Sequence, residues 1–220
     1  MVYYTEAFPN TAGNNNRPHN HSEVGWQAHI GSGATANSSN TGNSGGFVVP
    51  DSVGGYGAKA NTGNVGIAWT TEFAPINMSL TEITSLSFRS NNNNAADVMR
   101  FAVRIDSQWY VTTQSFTHAG GGIFNNWSGA ENEVFNFTTN AASWQLLNFT
   151  TGTGGTLSTG AVLSSALPTG TLDAAGIYLE SNTGVVRYDD FTINVVPEPS
   201  AAALVAAGLA GIAFRRRRSA

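Results

Sequence analysis

Short apolar runs with the composition of β-strands recur along residues 1–195, and no helix signal accompanies them. The runs are rich in Val, Ile, Thr, Phe, Tyr and Trp, and loops rich in Gly, Asn, Ser and Thr separate them. This pattern is typical of antiparallel sheets packed face to face. The sequence therefore predicts one all-β domain over residues 1–195, an antiparallel β-sandwich with a jelly-roll-like topology. The predicted strands are residues 2–8, 24–30, 46–49, 65–73, 83–90, 98–105, 109–116, 134–138, 144–150, 176–181 and 186–195.

The segment 98–116 has the clearest strand pattern. Apolar residues alternate with more polar ones, which places them on opposite faces of a strand. The apolar positions are Met99, Phe101, Val103 and Ile105, and the intervening positions are Arg100, Ala102, Arg104 and Asp106. Asp106, Ser107 and Gln108 supply turn residues before the next apolar run. The pattern predicts a hairpin with one face in the core.

The chain carries few charges, and they are unevenly distributed. Charged residues make up only 11% of the sequence. Thirteen acidic and six basic residues precede residue 196, so this part has a net charge of about −7. A net negative surface disfavours nucleic acid as a partner. Because the chain has no cysteine, disulfides, thiolate metal sites and a cysteine nucleophile are excluded.

The last 25 residues form a segment of different character. Residues 201–214 hold no charged or strongly polar side chain, so a helix there would be apolar all round and suited to lipid. Four arginines follow at once: Arg215, Arg216, Arg217 and Arg218. A basic cluster after an apolar segment stays on the cytoplasmic side and leaves the preceding chain outside. The sequence predicts one C-terminal hydrophobic helix in a membrane, with residues 1–195 exported.

The order of these features resembles a known sorting signal. Val196-Pro197-Glu198-Pro199-Ser200, a short apolar helix and a terminal arginine cluster are similar to the PEP-CTERM signal of exported bacterial proteins, over residues 196–220. The resemblance implies that Pro197, Glu198 and Pro199 are recognised by an exosortase-type transpeptidase that cuts near them. It also implies an envelope or extracellular location, a transient or retained membrane anchor, and an exopolysaccharide-producing cell.

The first residues do not have the composition of a secretion signal. Residues 1–6 hold neither a basic segment nor an apolar one. We therefore expect a signal peptide upstream of residue 1; the alternative is that export fails.

The last predicted strand ends in an acidic pair. By alternation, Asp189 should share a face with Phe191 and Ile193, and a carboxylate at the rim of an apolar face needs a partner. The ending Asp189-Asp190-Phe191, together with Glu6 in the first strand, resembles jelly-roll carbohydrate-binding modules, in which first-strand and last-strand acids hold Ca²⁺. The resemblance implies a structural Ca²⁺ at Glu6 and Asp189, with Asp190 as an alternative ligand. The alternative is a surface Asp pair, or pairing of Asp189 with Arg187 or Arg104.

Aromatic side chains are the candidates for binding sugar rings. Four tryptophans lie in strand patterns and are assigned mainly to the core: Trp26, Trp69, Trp109 and Trp144. Trp127 lies in a loop-like segment with Phe124. We predict that Trp127 and Phe124, with Arg100 and Arg104, bind extracellular polysaccharide. The alternative is that this loop folds its aromatic side chains onto the end of the sandwich.

No catalytic motif supports an enzyme. Glu131 and Glu133 are the only nearby carboxylate pair that could serve a secreted polysaccharide hydrolase, and they lie in a polar strand entry. His19 and His21 resemble the opening of a cupin metal motif, but its glutamate and second half are absent. The sequence therefore predicts a non-enzymatic surface or matrix protein with weak polysaccharide binding. A hydrolase and a purely structural matrix protein remain the alternatives.

Deleting residues 196–220 tests the sorting signal. We expect the truncated chain to lose envelope retention in the producing cell, because the recognition residues and the apolar helix are both removed. Fractionation and mass measurement of the intact and truncated chains check this. Unchanged retention and an unprocessed chain length in both would contradict the assignment.

Overall fold

Two antiparallel β-sheets pack face to face in the described part of the chain. The computed structural model describes residues 1–6, 25–30, 46–49, 56–60, 64–70, 76–90, 98–117, 131–150, 156–181 and 185–196. Two 3-10 turns, Leu80–Glu82 and Ala141–Ser143, accompany the strands. The strands are β1 (Val2–Glu6), β2 (Trp26–Ile30), β3 (Gly46–Val49), β4 (Tyr56–Ala60), β5 (Asn64–Thr70), β6 (Met78–Ser79), β7 (Ile83–Ser90), β8 (Val98–Ile105), β9 (Gln108–Thr112), β10 (Glu131–Asn136), β11 (Trp144–Phe149), β12 (Leu157–Val162), β13 (Thr171–Ser181) and β14 (Val185–Val195).

Each sheet is built around a long strand from the C-terminal part of the domain. Sheet A has the order β10-β7-β14-β4-β3, and β1 also pairs with β14. Sheet B has the order β12-β11-β9-β8-β13-β5-β2, and β6 also pairs with β13. Because β13 and β14 follow each other in the chain but lie in different sheets, the connection between them joins the two layers. The predicted antiparallel sandwich is confirmed.

The core between the sheets is aromatic. Phe101 of β8 lies near its centre, with its ring centroid 4.8 Å from that of Phe88 and 5.5 Å from that of Phe116. The rings of Phe135 and Phe191 each lie 6.3 Å away. Phe88, Phe135 and Phe191 belong to sheet A, so these contacts connect the two layers. The predicted alternation in β8 is confirmed: Met99, Phe101, Val103 and Ile105 are all fully buried.

The β8–β9 hairpin has a two-residue loop. Ile105 pairs with Gln108, which leaves Asp106 and Ser107 as the loop. Their φ angles are 47° and 70°, the left-handed values that tight hairpins between twisted strands use. Asp tolerates this region better than most residues, which explains its place at the first position. The predicted hairpin is confirmed, although Gln108 belongs to the strand and not to the turn.

Sheet B is strongly curled, and its outer face encloses a second apolar cluster. The ring of Phe149 on β11 lies 5.1 Å from that of Trp69 on β5. Four strand spacings separate these strands, about 19 Å in a flat sheet. The ring contact therefore requires the sheet to bend toward this side, which we call the concave face. The cluster also contains Ile67, Ala102, Trp109, Val111, Leu147, Leu157, Ala174 and Tyr178.

Small residues at the centre of sheet B allow this close packing. Gly176 of β13 pairs with Ala102 of β8 and Trp69 of β5. A Cβ at Gly176 would collide with the Ala68 carbonyl oxygen and would lie 2.7 Å from the Trp69 Cα. Any other residue would therefore push β5 and β13 apart at the point where the curl is formed.

Several strands differ from the predicted set. β4 and β12 lie where no strand was predicted, and β13 begins five residues earlier than expected. All three segments are rich in Gly, Ala, Ser and Thr, so apolar periodicity did not reveal them. The predicted C-terminal helix lies outside the described residues, as does every residue of the tail after Val196. In the part that is described, no helix has the length and hydropathy needed to cross a membrane.

Gly176→Ala should lower the free energy of unfolding by about 1–3 kcal/mol or more, because the added methyl group collides with backbone and not with a movable side chain. Gly160→Ala is the matched control, since its nearest neighbour is the Leu146 Cβ at 3.1 Å, near an exposed sheet edge. Urea unfolding of both variants measures the difference. Equal loss in the two variants would show that the β5–β13 contact is not the constraint described.

Candidate functional site

The concave face of sheet B carries two groups of polar side chains beside its apolar cluster. Arg100, Ala102 and Arg104 project from this face of β8, opposite to the core residues of the same strand. Arg100 and Arg104 are four residues apart, about 13 Å along the strand. A region of this length suits an extended ligand better than a single small molecule.

The first group, the Arg100 cluster, joins three strands. The Arg100 Nη1 donates to the Gln145 Oε1 of β11 at 2.8 Å, and its Nη2 lies 3.9 Å from the Glu180 Oε1 of β13. Tyr178 pairs with Arg100 across β8 and β13. The Arg100 side chain is 20% exposed, but its Nε is buried and has no hydrogen-bond partner within the described residues. A buried donor without a partner costs free energy, and such groups are uncommon in folded proteins.

The second group, the Arg104 cluster, is centred on Asp173. The Arg104 Nε donates to the Asp173 Oδ1 at 2.8 Å, and the Ser107 amide donates to the Asp173 Oδ2 at 3.2 Å. The guanidinium carbon of Arg104 lies 5.7 Å from the centre of the Trp109 ring, within cation–π range. Asp173 and Trp109 thus hold Arg104 in one position, and the hydrogen bond to Asp173 uses its Nε.

Burial raises the pKa of Tyr178 above its ordinary value of 10.0. The charge of Glu180 and a hydrogen bond to its carboxylate raise this pKa further, and Arg100 opposes them. The phenol therefore stays protonated and acts as a donor to Glu180. The Arg100 cluster thus presents donors and acceptors together, with little net charge.

The structure brings Arg100 and Arg104 to one face, as predicted, but it does not test their association with the loop aromatics. Trp127 and Phe124 lie outside the described residues. The assignment of the other tryptophans to the interior is confirmed, since they are at most 5% exposed: Trp26, Trp69, Trp109 and Trp144. Sequence reasoning missed Gln145, Asp173, Tyr178 and Glu180. Their proximity depends on strand pairing and curl, which no local pattern shows.

The acidic pair on β14 is arranged differently from the prediction. Tyr188 and Phe191 both belong to the core, and the register against β7 shifts by one residue between Asp189 and Thr192. Asp190 has φ 50°, so the chain bulges here. The expected shared face of Asp189 with Phe191 is therefore wrong, because the bulge interrupts the alternation. Asp189 pairs in register with Arg89 instead.

The neighbourhood of this bulge contains the residues assigned to calcium. Glu6 of β1 pairs with Phe191, one residue beyond Asp190. The Asp190 Oδ2 accepts from the Arg89 Nη1 at 3.4 Å, and the Asp189 Oδ1 accepts from the Asp190 amide at 2.8 Å. Among the described residues, no group of three or more His, Asp or Glu side chains is placed to hold a metal ion. Calcium at Glu6, Asp189 or Asp190 stays a prediction.

The carboxylates considered for hydrolysis lie on β10 at the edge of sheet A. Glu133 accepts a hydrogen bond from the Ser90 hydroxyl at 2.9 Å. The side chain of Glu131 lies outside the described residues, as do His19 and His21. An acid–base pair at this edge is therefore neither supported nor tested.

Comparison with known protein families assigns a sorting motif to the end of the chain. Residues 195–218 match the PEP-CTERM protein-sorting motif. The chain thus carries a sorting tail that includes Pro197, Glu198, Pro199 and the arginine cluster. This motif indicates an exported protein and implies processing by an exosortase.

Among solved structures, the chain is similar to two family 11 carbohydrate-binding modules from Clostridium thermocellum. One, in complex with a β-1,3-1,4-mixed-linked tetrasaccharide, has 14% identity and a TM-score of 0.46 over 86% of this chain and 95% of that chain. The other, from the cellulosomal cellulase Lic26A-Cel5E, has 14% identity and a TM-score of 0.41 over 91% of this chain and 99% of that chain. No curated protein sequence matches this chain significantly.

The raised pKa of Tyr178 predicts a loss of stability in alkali. A group whose folded-state pKa is raised stabilises the fold fully below its unfolded-state pKa, and this contribution is lost as pH rises through the folded-state value. The loss should therefore begin near pH 10.0, the ordinary tyrosine value. Tyr178→Phe should show a shallower alkaline decline in urea-unfolding free energy than the parent chain. Parallel declines of the unfolding free energy in Tyr178→Phe and the parent chain would contradict the prediction.

Proposed function

We propose that this protein is an exported, non-enzymatic component of the cell envelope or extracellular matrix that binds polysaccharide weakly on the concave face. The observation that carries the proposal is Arg100, a partly exposed guanidinium held by Gln145 and facing Glu180, with a buried Nε that no described residue satisfies. A ligand hydroxyl would accept a hydrogen bond from the exposed part of this guanidinium.

The chemistry of the two clusters matches that of sugar hydroxyls, which both donate and accept hydrogen bonds. Arg100 and the Gln145 amide supply donors, while Glu180 and Asp173 supply acceptors. Each arginine has a carboxylate partner within 3.9 Å, so the face does not act as a strong anion site. Side chains fixed by such contacts lose less entropy on binding than free ones.

Weak binding follows from the position of the aromatic rings. Trp69 and Trp109 are buried in the second apolar cluster and offer no open ring face to a sugar. In this proposal, Trp127 and Phe124 supply the stacking contact that the concave face lacks. Neutral polar contacts, exchanged against water, contribute only about 0.5–1.5 kcal/mol each, so few contacts on this face are strong.

The tail determines where this binding takes place. In our proposal the exosortase recognises Pro197, Glu198 and Pro199, and residues 201–214 form the membrane helix with Arg215–Arg218 on the cytoplasmic side. β14 ends at Val195, and only Val196 separates it from Pro197, so in this proposal the domain lies close to the membrane surface. A structural Ca²⁺ near Glu6, Asp189 and Asp190 would stabilise the middle of β14, where β1 meets it.

Arg100→Ala should weaken binding to a responsive polysaccharide about tenfold or more, because hydrogen bonds from a charged donor contribute about 1.5–3 kcal/mol each. Arg89→Ala is the matched control, since Arg89 is also partly exposed and also faces a carboxylate, but belongs to sheet A. Affinity electrophoresis or calorimetry of the full chain against a glycan panel, including the producer's own polysaccharide, measures the effect with and without Ca²⁺.

Equal affinity of the parent chain, Arg100→Ala and Arg89→Ala would show that the concave face is not part of the binding site. Trp127→Ala in the same panel then decides whether the loop alone binds. Release of reducing sugar by the parent chain would contradict the non-enzymatic assignment.

A further inference from the structure

Exposed apolar side chains gather where the domain passes into its tail. Val2, Tyr3 and Val196 are 54%, 51% and 52% exposed, and apolar residues exposed together can mark an interaction surface. We call these three residues the tail rim. They come from opposite ends of the chain, yet the pairing of β1 with β14 places them at one end of sheet A.

Strand pairing and two further hydrogen bonds fix the tail rim in place. Val2 pairs with Asn194, two residues before Val196. The Val196 amide donates to the Glu82 carbonyl at 2.8 Å, and the Tyr3 hydroxyl donates to the Ile76 carbonyl at 2.9 Å. The backbone of the rim is therefore hydrogen-bonded to the rest of the domain, although its side chains remain open to solvent.

The length of the tail places the rim near lipid. Four residues, 197–200, lie between Val196 and the first residue of the apolar segment 201–214. At about 3.3–3.6 Å per residue, the chain can carry that segment no more than about 18 Å from Val196. Tyrosine is enriched at membrane interfaces because its ring is apolar and its hydroxyl is polar. The rim is thus within reach of the headgroup region.

We propose that the tail rim docks on the uncharged headgroup region of the bilayer that holds the tail. This inference rests on the proposed membrane helix. The domain carries a net charge of about −7, and the exposed Glu82 lies beside Val196, so an anionic lipid surface would repel this end. Docking orients β14 with its Val185 end away from lipid and leaves the domain upright on the membrane until the tail is cut.

A single-cysteine scan of the full chain tests the docking, since the native sequence contains no cysteine. Val2→Cys is labelled with a polarity-sensitive fluorophore and reconstituted in phosphatidylcholine vesicles that contain brominated lipid. Asn132→Cys is the control, because Asn132 is exposed and pairs with Arg89, which in turn pairs with Asp189, seven residues before Val196 in the same sheet. Ala207→Cys reports separately whether the tail is in the bilayer.

The expected result is a blue shift and severalfold stronger quenching at position 2 than at position 132. Adding Val196→Asp to the Val2→Cys chain should reverse most of the shift. A quenched label at position 207 with an aqueous label at position 2 would overturn the docking alone. An aqueous label at position 207 would overturn the membrane helix on which it rests, and equal quenching at positions 2 and 132 would show non-specific adsorption.

Discussion

The contact of Phe149 with Trp69 is the interaction on which the shape of sheet B depends. It brings β11 and β5 together across three intervening strands and closes a second apolar cluster outside the main core. Without it, the side of β8 that carries Arg100 and Arg104 would be an open, solvated surface. With it, the two arginines lie beside buried rings, where electrostatic and hydrogen-bonding interactions are stronger than in water. Gly176 makes this shape possible by letting β5 and β13 approach each other.

The parts of the fold that local patterns determine could be predicted from the sequence. The alternation of Met99, Phe101, Val103 and Ile105 places one face of β8 in the core, and the turn at Asp106 and Ser107 joins it to β9. The burial of Ala102 on the other face could not be predicted, because it depends on the curl of the whole sheet. For the same reason, Gln145 and Glu180 were not connected with Arg100.

The acidic pair on β14 shows a different limit. Strict alternation assigns Asp189 to the apolar face, but one residue in the left-handed conformation, Asp190, shifts the register. Asp is among the residues that adopt this conformation most readily, so the sequence contained a weak signal for a bulge. The tail, in contrast, is recognised from residue order alone, because Pro197, Glu198, Pro199 and the arginines act as a linear signal. A linear signal needs no tertiary contact to be identified.

The side-chain resonances of the arginines test the account most directly. In a cysteine-free chain labelled with ¹⁵N, the Nε–Hε signals of Arg100 and Arg89 can be followed during titration with the producer's own polysaccharide. Binding on the concave face predicts a saturable shift of the Arg100 signal while the Arg89 signal stays in place. A static Arg100 signal under conditions where the polysaccharide binds the chain would contradict the account and place the ligand elsewhere.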